Sequence, residues 1–198
     1  MGGENIVWSE SDVSSEEREK FLKQKGCIIW LTGLSGSGKS TIAKKLEKKL
    51  FSIGKLSYIL DGDNMRSGLC SDLGFSIEDR AENMRRIGET AALFAHAGII
   101  AITAFISPFA REREKARNLV LEGRFFEVFI DTSLEICEER DPKGFYKKAR
   151  KGEIKNFTGL NSPYESPSDP ELIIKTENQG VDSAVESIIE LLKNKSMI

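Results

Sequence analysis

The sequence predicts a three-layer α/β fold: a five-stranded parallel sheet with helices on both faces and a lid loop at one end. Three observations carry this expectation. Predominantly apolar runs such as Cys27–Leu31 and Ile99–Phe105 alternate with amphipathic stretches, as strands covered on both faces require. The first of these runs leads into Gly33-Leu34-Ser35-Gly36-Ser37-Gly38-Lys39-Ser40, which fits G-x-x-x-x-G-K-[ST], the P-loop. Ile42, Ala43, Leu46 and Leu50 then follow at helical spacing. Strand, glycine loop and helix thus occur in the order the motif needs.

Taken in order, residues 1–25 are expected to form an arm and a short helix. Ile6-Val7-Trp8 is the only apolar part of the arm and is expected to dock on a surface groove. Ser14-Ser15-Glu16-Glu17 reads as a capping box, starting a helix that reaches about Leu22. Residues 26–198 are then expected to form a single P-loop domain. Its first strand is Cys27–Leu31 and its first helix runs from Lys39 to about Phe51, ended by Gly54. Ser57–Leu60 is the second strand and delivers Asp61-Gly62-Asp63-Asn64-Met65-Arg66 to its carboxyl end. Ser76 caps a helix over about 78–97 whose apolar face is Ala81, Met84, Gly88, Ala91 and Ala95. Ile99–Phe105, the most hydrophobic strand, is expected at the centre. Ser107 at the cap and Pro108 at the first position predict the start of the next helix. Glu127–Ile130 is strand four, and Thr132 with Glu135 caps a short helix ending near Arg140. Residues 141–168 hold most of the prolines and no clear period. A stretch of that length in a compact domain reads as a lid, placed at about 140–165. Leu172–Ile174 is strand five, and Val181, Ala184, Val185, Ile188, Ile189 and Leu192 mark a final amphipathic helix.

The composition narrows the function. With 198 residues and a net charge of −2, the chain carries no global attraction for nucleic acid or an anionic membrane. No apolar run approaches the roughly 18 residues of a membrane span. Residues 1–25 are polar and acid-rich, unlike a targeting peptide. Met1-Gly2 opens like a myristoylation signal, but Ile6 stands where Ser or Thr is required. Cys27, Cys70 and Cys137 lack paired spacing, which suits reduced thiols in a cytoplasmic protein better than a disulfide frame or zinc site.

The chemistry starts from the P-loop. Its glycines let successive N–H groups converge on one anion, and the following helix adds its positive end. Lys39 reaches the outer phosphates of a nucleoside triphosphate, and the Ser40 hydroxyl can ligate Mg²⁺. No Asn/Thr-Lys-x-Asp guanine reader follows a late strand, which argues against a GTPase, and the chain is too short for a motor core. Asp61 and Asp63 are the carboxylates best placed to orient an attacking hydroxyl, although Asp61 equally suits turn chemistry. Arg66 lies three residues after Asp63, and Arg80 and Asn83 share that spacing; both sets suggest an anionic acceptor. Arg140 to Lys155 holds seven basic and two acidic residues, which reads as a lid over triphosphate rather than a nucleic-acid patch.

The full set of motifs resembles one family. It comprises the P-loop, Leu60-Asp61-Gly62-Asp63-Asn64-x-Arg66, Asp72-Leu73-Gly74-Phe75-Ser76, Arg80-x-x-Asn83-x-Arg85-Arg86-Ile87-Gly88, Ile106-Ser107-Pro108, and Arg140-Asp141-Pro142-Lys143-Gly144 followed by Phe157-Thr158-Gly159. In this order the motifs resemble adenylylsulfate (APS) kinase from about Asn5 to Pro167. The resemblance implies transfer of the ATP γ-phosphate to the 3′-hydroxyl of adenosine 5′-phosphosulfate, giving PAPS and ADP, with Mg²⁺. It implies catalytic roles for Asp63, Lys39 and Ser107, ATP binding by the P-loop with Thr41 and Arg140, and metal binding by Ser40 and Asp63. It places the acceptor among Asp61, Asp63, Arg66, Arg80, Asn83, Ile106, Ser107, Lys143 and Gly159, with Phe75 and Phe157 stacking on its adenine. It also implies a homodimer. The chain departs from the family at Phe109-Ala110, where an arginine is usual after Ser-Pro-Tyr, and within Ser67–Ser71, which lacks the usual His and Asn. Asn156 stands for a glycine, and Leu160-Asn161-Ser162 for Ile-Asp-Asp. Two other readings stay open on the residues alone: a sister kinase for a nucleotide or sugar, and a non-catalytic nucleotide-binding module.

Overall fold

The computed structural model describes Ser9 and residues 11–198. The expected docking segment Ile6-Val7-Trp8 lies outside these residues. The strands are β1 (Cys27–Thr32), β2 (Ser57–Asp61), β3 (Ile100–Ala104), β4 (Phe125–Asp131) and β5 (Leu172–Lys175). They form one parallel sheet in the order β2-β3-β1-β4-β5. The middle strand is therefore β1, not β3. Both are wholly buried, so hydrophobicity alone could not rank them.

The helices are α1 (Ser15–Leu22), α2 (Lys39–Ser52), α3 (Gly62–Arg66), α4 (Ile77–His96), α5 (Ala110–Arg117), α6 (Leu134–Arg140), α7 (Phe145–Arg150) and α8 (Val181–Asn194). Side chains alternate along β1. Cys27, Ile29 and Leu31 meet α2 and α8 through Ile42, Leu46, Val185 and Ile188. Ile28 and Trp30 meet α4 and α5 through Met84, Ile87, Ala91 and Ala116. Each fully buried Ile or Leu contributes about 1.5–3 kcal/mol to this packing. At Gly88 an added Cβ would lie 3.3 Å from the Cβ of Ala116, so α4 and α5 approach through the absence of a side chain. Among the described residues no helix is long and apolar enough to cross a membrane.

The caps at Ser14 and Ser76 form as expected: Ser14 accepts from Glu17 N–H with the reciprocal Glu17 contact, and Ser76 accepts from Asp79 N–H. Three local expectations are corrected. Ser107 does not cap α5, which starts at Ala110 behind Phe109. Ser107 is instead 2% exposed at φ +41°, and its hydroxyl faces inward. The cap of α6 is Ser133, because Thr132 turns its hydroxyl into the interior. The stretch after Arg140 contains α7. At six residues this helix is too short to display a period, and its first N–H groups are held by the Asp141 carboxylate at 3.1 Å.

Candidate active site

The carboxyl ends of the strands open into one cleft of about 1100 Å³. Such a crevice is where ligands bind in open parallel sheets. On one wall, β1 runs into the glycine loop. Gly36 has φ +78°, and an added Cβ would lie 2.9 Å from the Cys137 carbonyl, so both conformation and space demand glycine. Gly38 precedes α2 with no side-chain cap, leaving first-turn N–H groups for a ligand. Lys39 is 8% exposed, and its Nζ donates to the carbonyls of Gly33 (2.9 Å) and Leu34 (2.6 Å) and to Ser37 Oγ (3.2 Å). Burial pushes its ammonium down to about 8, which leaves a cation that gains from an anionic partner.

Across the loop, Ser40 Oγ donates to Asp61 Oδ2 at 2.7 Å. Asp61 also accepts Asp63 N–H at 3.1 Å and so caps α3; its turn chemistry and its place beside Ser40 coexist. Asp63 points its carboxylate outward and pairs with Lys143 from beyond α6. The hydroxyl and two carboxylates are hard oxygen donors. Among the described residues there is no group of three or more His, Cys, Asp or Glu that could hold a metal by itself. That donor set suits Mg²⁺, which shares its coordination with phosphates and water.

The second wall comes from α3, α4 and the segment after α7. Arg66 donates to the Gly74 carbonyl at 2.9 Å and lies 4.5 Å over the Phe75 ring. Arg80 bridges to Phe75 O (3.1 Å), Thr158 Oγ1 (2.9 Å) and Asn156 O (2.6 Å). Burial and then the charge of Arg66 lower the Arg80 pKa, so an anion here relieves two neighbouring cations. Asn83 is 2% exposed with no partner for Oδ1, an acceptor left for a ligand donor. Phe75 is 65% exposed whereas Phe157 is 8% exposed, yet both line the cleft.

Ile106 and Ser107 also line the cleft. Trp30 Nε1 donates to Ser107 Oγ (3.1 Å), Ser107 Oγ donates to Thr32 Oγ1 (2.9 Å), and Thr32 donates to the Ile106 carbonyl (2.7 Å). Arg113, 3% exposed, holds the same turn by donating to the Ser107 carbonyl (2.8 Å), the Glu165 carbonyl (2.8 Å) and Glu127 (2.5 Å). Removing it strands a buried carboxylate. Arg113→Met is expected to cost about 3 kcal/mol, the low end for a broken buried pair, because Arg117 still lies 3.6 Å from Glu127. A shifted urea midpoint with an unchanged slope reads this out.

The cleft thus brings together Ser35 to Thr41, Asp61, Asp63, Arg66, Phe75, Arg80, Asn83, Ile106, Ser107, Arg140, Lys143 and Phe157. Leu34 and Gly159 do not reach it. They pack on each other behind the loop, where a Cβ on Gly159 would lie 2.9 Å from Leu34, and border a separate open depression. Gly33 also stays outside the lining and serves the loop's turn at φ +145°. Thr176 was missed. It accepts from Arg140 (3.1 Å) and bonds Thr132 (2.6 Å) at the end of β5. The rule that placed the other strand-end residues could have found it.

A family model described as adenylylsulphate kinase matches residues 25–175. The chain belongs to the adenylylsulphate kinase family. It is 58% identical over 194 residues to the adenylyl-sulfate kinase of Clostridium acetobutylicum, covering 98% of this chain and 96% of that one. The adenylyl-sulfate kinase of Staphylococcus haemolyticus is 55% identical, with 98% of each chain covered. Among solved structures, the Mycobacterium tuberculosis APS kinase CysC in complex with AMPPNP and APS superposes with TM-score 0.82 at 48% identity, covering 86% of this chain and 99% of that one. The family's departures now have locations. Asn156 stands at φ +56°, where glycine is usual and asparagine is among the few tolerated alternatives. Asn161 Oδ1 accepts Phe157 N–H at 2.5 Å, so the altered triplet still fastens that ring's backbone.

Proposed function

We infer that this protein is an APS kinase, transferring the γ-phosphate of ATP to the 3′-hydroxyl of adenosine 5′-phosphosulfate to give PAPS and ADP. The observation that carries this is the convergence of the glycine loop, the Asp61/Asp63 pair and the Arg66/Arg80/Phe75/Phe157 wall on one cleft, in a chain alignable end to end with named APS kinases. The loop amides and Lys39 hold and neutralise the triphosphate. Arg66 and Arg80 suit the phosphosulfate, since guanidinium forks match such oxygens. The two phenylalanines stack on the acceptor adenine, and Asn83 accepts a donor from the acceptor. Asp63 orients the 3′-hydroxyl and takes its proton as the bond to phosphorus forms. Ser107 lines the acceptor side, its hydroxyl held by Trp30 and Thr32. Arg140 covers the ATP base. Mg²⁺, held by Ser40 with the aspartates, would neutralise charge on the phosphates.

The segment from about 140 to 165 acts as the lid, with Lys143 exchanging its Asp63 partner for phosphate. We place the protein in the cytoplasm as a homodimer; three buried free thiols suit a reducing compartment, and light scattering tests the dimer. In a coupled assay, ADP release that depends on added APS supports the reading, and release with ATP alone that APS leaves unchanged defeats it. Phe75→Ala should raise KM for APS roughly tenfold, the effect of one lost stacking partner, with little change for ATP. An equal loss on both substrates would show that this ring does not serve the acceptor.

A further inference from the structure

Behind the acceptor wall lies a small apolar cluster that belongs to neither face of the sheet. Cys137, Tyr146, Ala149 and Phe157 form it, with Leu34 and Leu134 against them. Its two aromatic rings meet edge to face, with centroids 4.9 Å apart and planes at 74°. Phe157 lines the cleft. Tyr146 is 1% exposed and makes no part of that lining. Its phenol, pushed up by burial, stays protonated and donates to the Ser35 carbonyl at 2.9 Å. Ser35 is a residue of the phosphate loop. One buried side chain therefore touches the loop with its hydroxyl and packs its ring edge-to-face with Phe157.

The rest of the surroundings give this contact consequence. The Tyr146 N–H is fixed by Asp141 at 3.1 Å, so α7 cannot rotate freely. Arg80 grips the chain on both sides of Phe157, at Asn156 and Thr158. The Phe157 N–H is held by Asn161. The backbone of Phe157 is thus anchored from α4 and from its own turn. The orientation of its ring is left to the side chains packed against it, among which Tyr146 is the aromatic partner.

We propose that Tyr146 is a positioning residue for the acceptor: it fixes the plane of Phe157 and references that plane to the phosphate loop, setting the acceptor purine relative to the phosphoryl donor. The proposal rests on the assignment of Phe157 to the acceptor adenine made above. Tyr146 touches neither substrate, so its effect passes through Phe157.

The test is a cycle of variants in the full chain, with kcat and both KM values measured alongside thermal unfolding. Tyr146→Leu should raise KM for APS about fivefold, as expected for a lost edge-to-face pair, while KM for ATP moves by less than about twofold. Tyr146→Phe keeps the ring but loses the hydroxyl bond, and should raise KM for APS about twofold, the loss of one modest hydrogen bond. With Phe157→Ala in place there is no ring left to orient, so Tyr146→Leu should then add nothing to KM for APS. Purely structural damage would lower the active fraction with both KM values unchanged, or weaken ATP as much as APS through the loop. Either result, or additive effects in the cycle, overturns the proposal. A wild-type protein that does not turn over APS defeats the functional reading instead, so the two failures are separable.

Discussion

Lys39→Ala is expected to lower kcat by roughly a thousandfold, as when one preorganised donor to a charged transition state is lost. The reason lies in its setting. The side chain is buried, and its ammonium is held by two loop carbonyls and Ser37, so it is already aimed at the place where phosphate must lie. A water molecule filling the vacated volume supplies a dipole but no charge. Single-turnover phosphoryl transfer measures the loss directly. A fall of less than about tenfold would mean that the loop amides alone carry the charge. The same lysine predicts a pH dependence. Its pKa in the free protein is about 8, and phosphate favours the charged form and raises it. Affinity for ATP should therefore be full below about pH 8 and fall as pH rises through that value. The sign for folding is opposite. Because the folded pKa lies below the unfolded one, this group costs stability below about 8, and the cost lessens as pH rises toward 10.5.

Asp63→Asn is the second large effect, expected at a hundred- to thousandfold in kcat, the range for losing a positioned general base. Both KM values should hold within about threefold, since the amide keeps the shape while the proton acceptor and one negative charge toward Mg²⁺ are lost. Asp61→Asn provides the contrast. Asp61 accepts the Ser40 hydroxyl and caps α3, so its replacement should raise the Mg²⁺ concentration needed for half-maximal rate. If Asp61→Asn matches Asp63→Asn in kcat and leaves Mg²⁺ dependence unchanged, the roles given to the two aspartates are wrong.

Much of this organisation could be read from the residues because the signals were local. The P-loop, the Ser14 and Ser76 caps and the unbroken apolar run of β1 are written in adjacent positions, and the strands end within about two residues of the expected places. What was misread depends on partners distant in sequence. Ser-Pro normally opens a helix, yet Ser107 is drawn inward by Trp30 and Thr32, which are more than seventy residues away, and its carbonyl is taken by Arg113. Helix α7 depends on burying Tyr146 and Ala149 against Cys137, which no six-residue window reveals. Thr176 matters through Arg140 and Thr132, each contributed by another element. Asn156 stands where glycine is usual, and its backbone at φ +56° shows a residue type that can adopt the same turn.

The three thiols are distributed one to each apolar cluster: Cys27 with α2 and α8, Cys70 with α4, and Cys137 with α7. All are buried, and loss of hydration raises each thiol's pKa, to about 12 for Cys27. Alkylating reagents require thiolate and access, so the native chain resists them everywhere. Each sulfur becomes reactive only when its own compartment breathes. Pulsed labelling followed by peptide mass spectrometry would then report three separate opening equilibria from one unmodified molecule, with Cys137 timing the release of α7 from the loop beneath it.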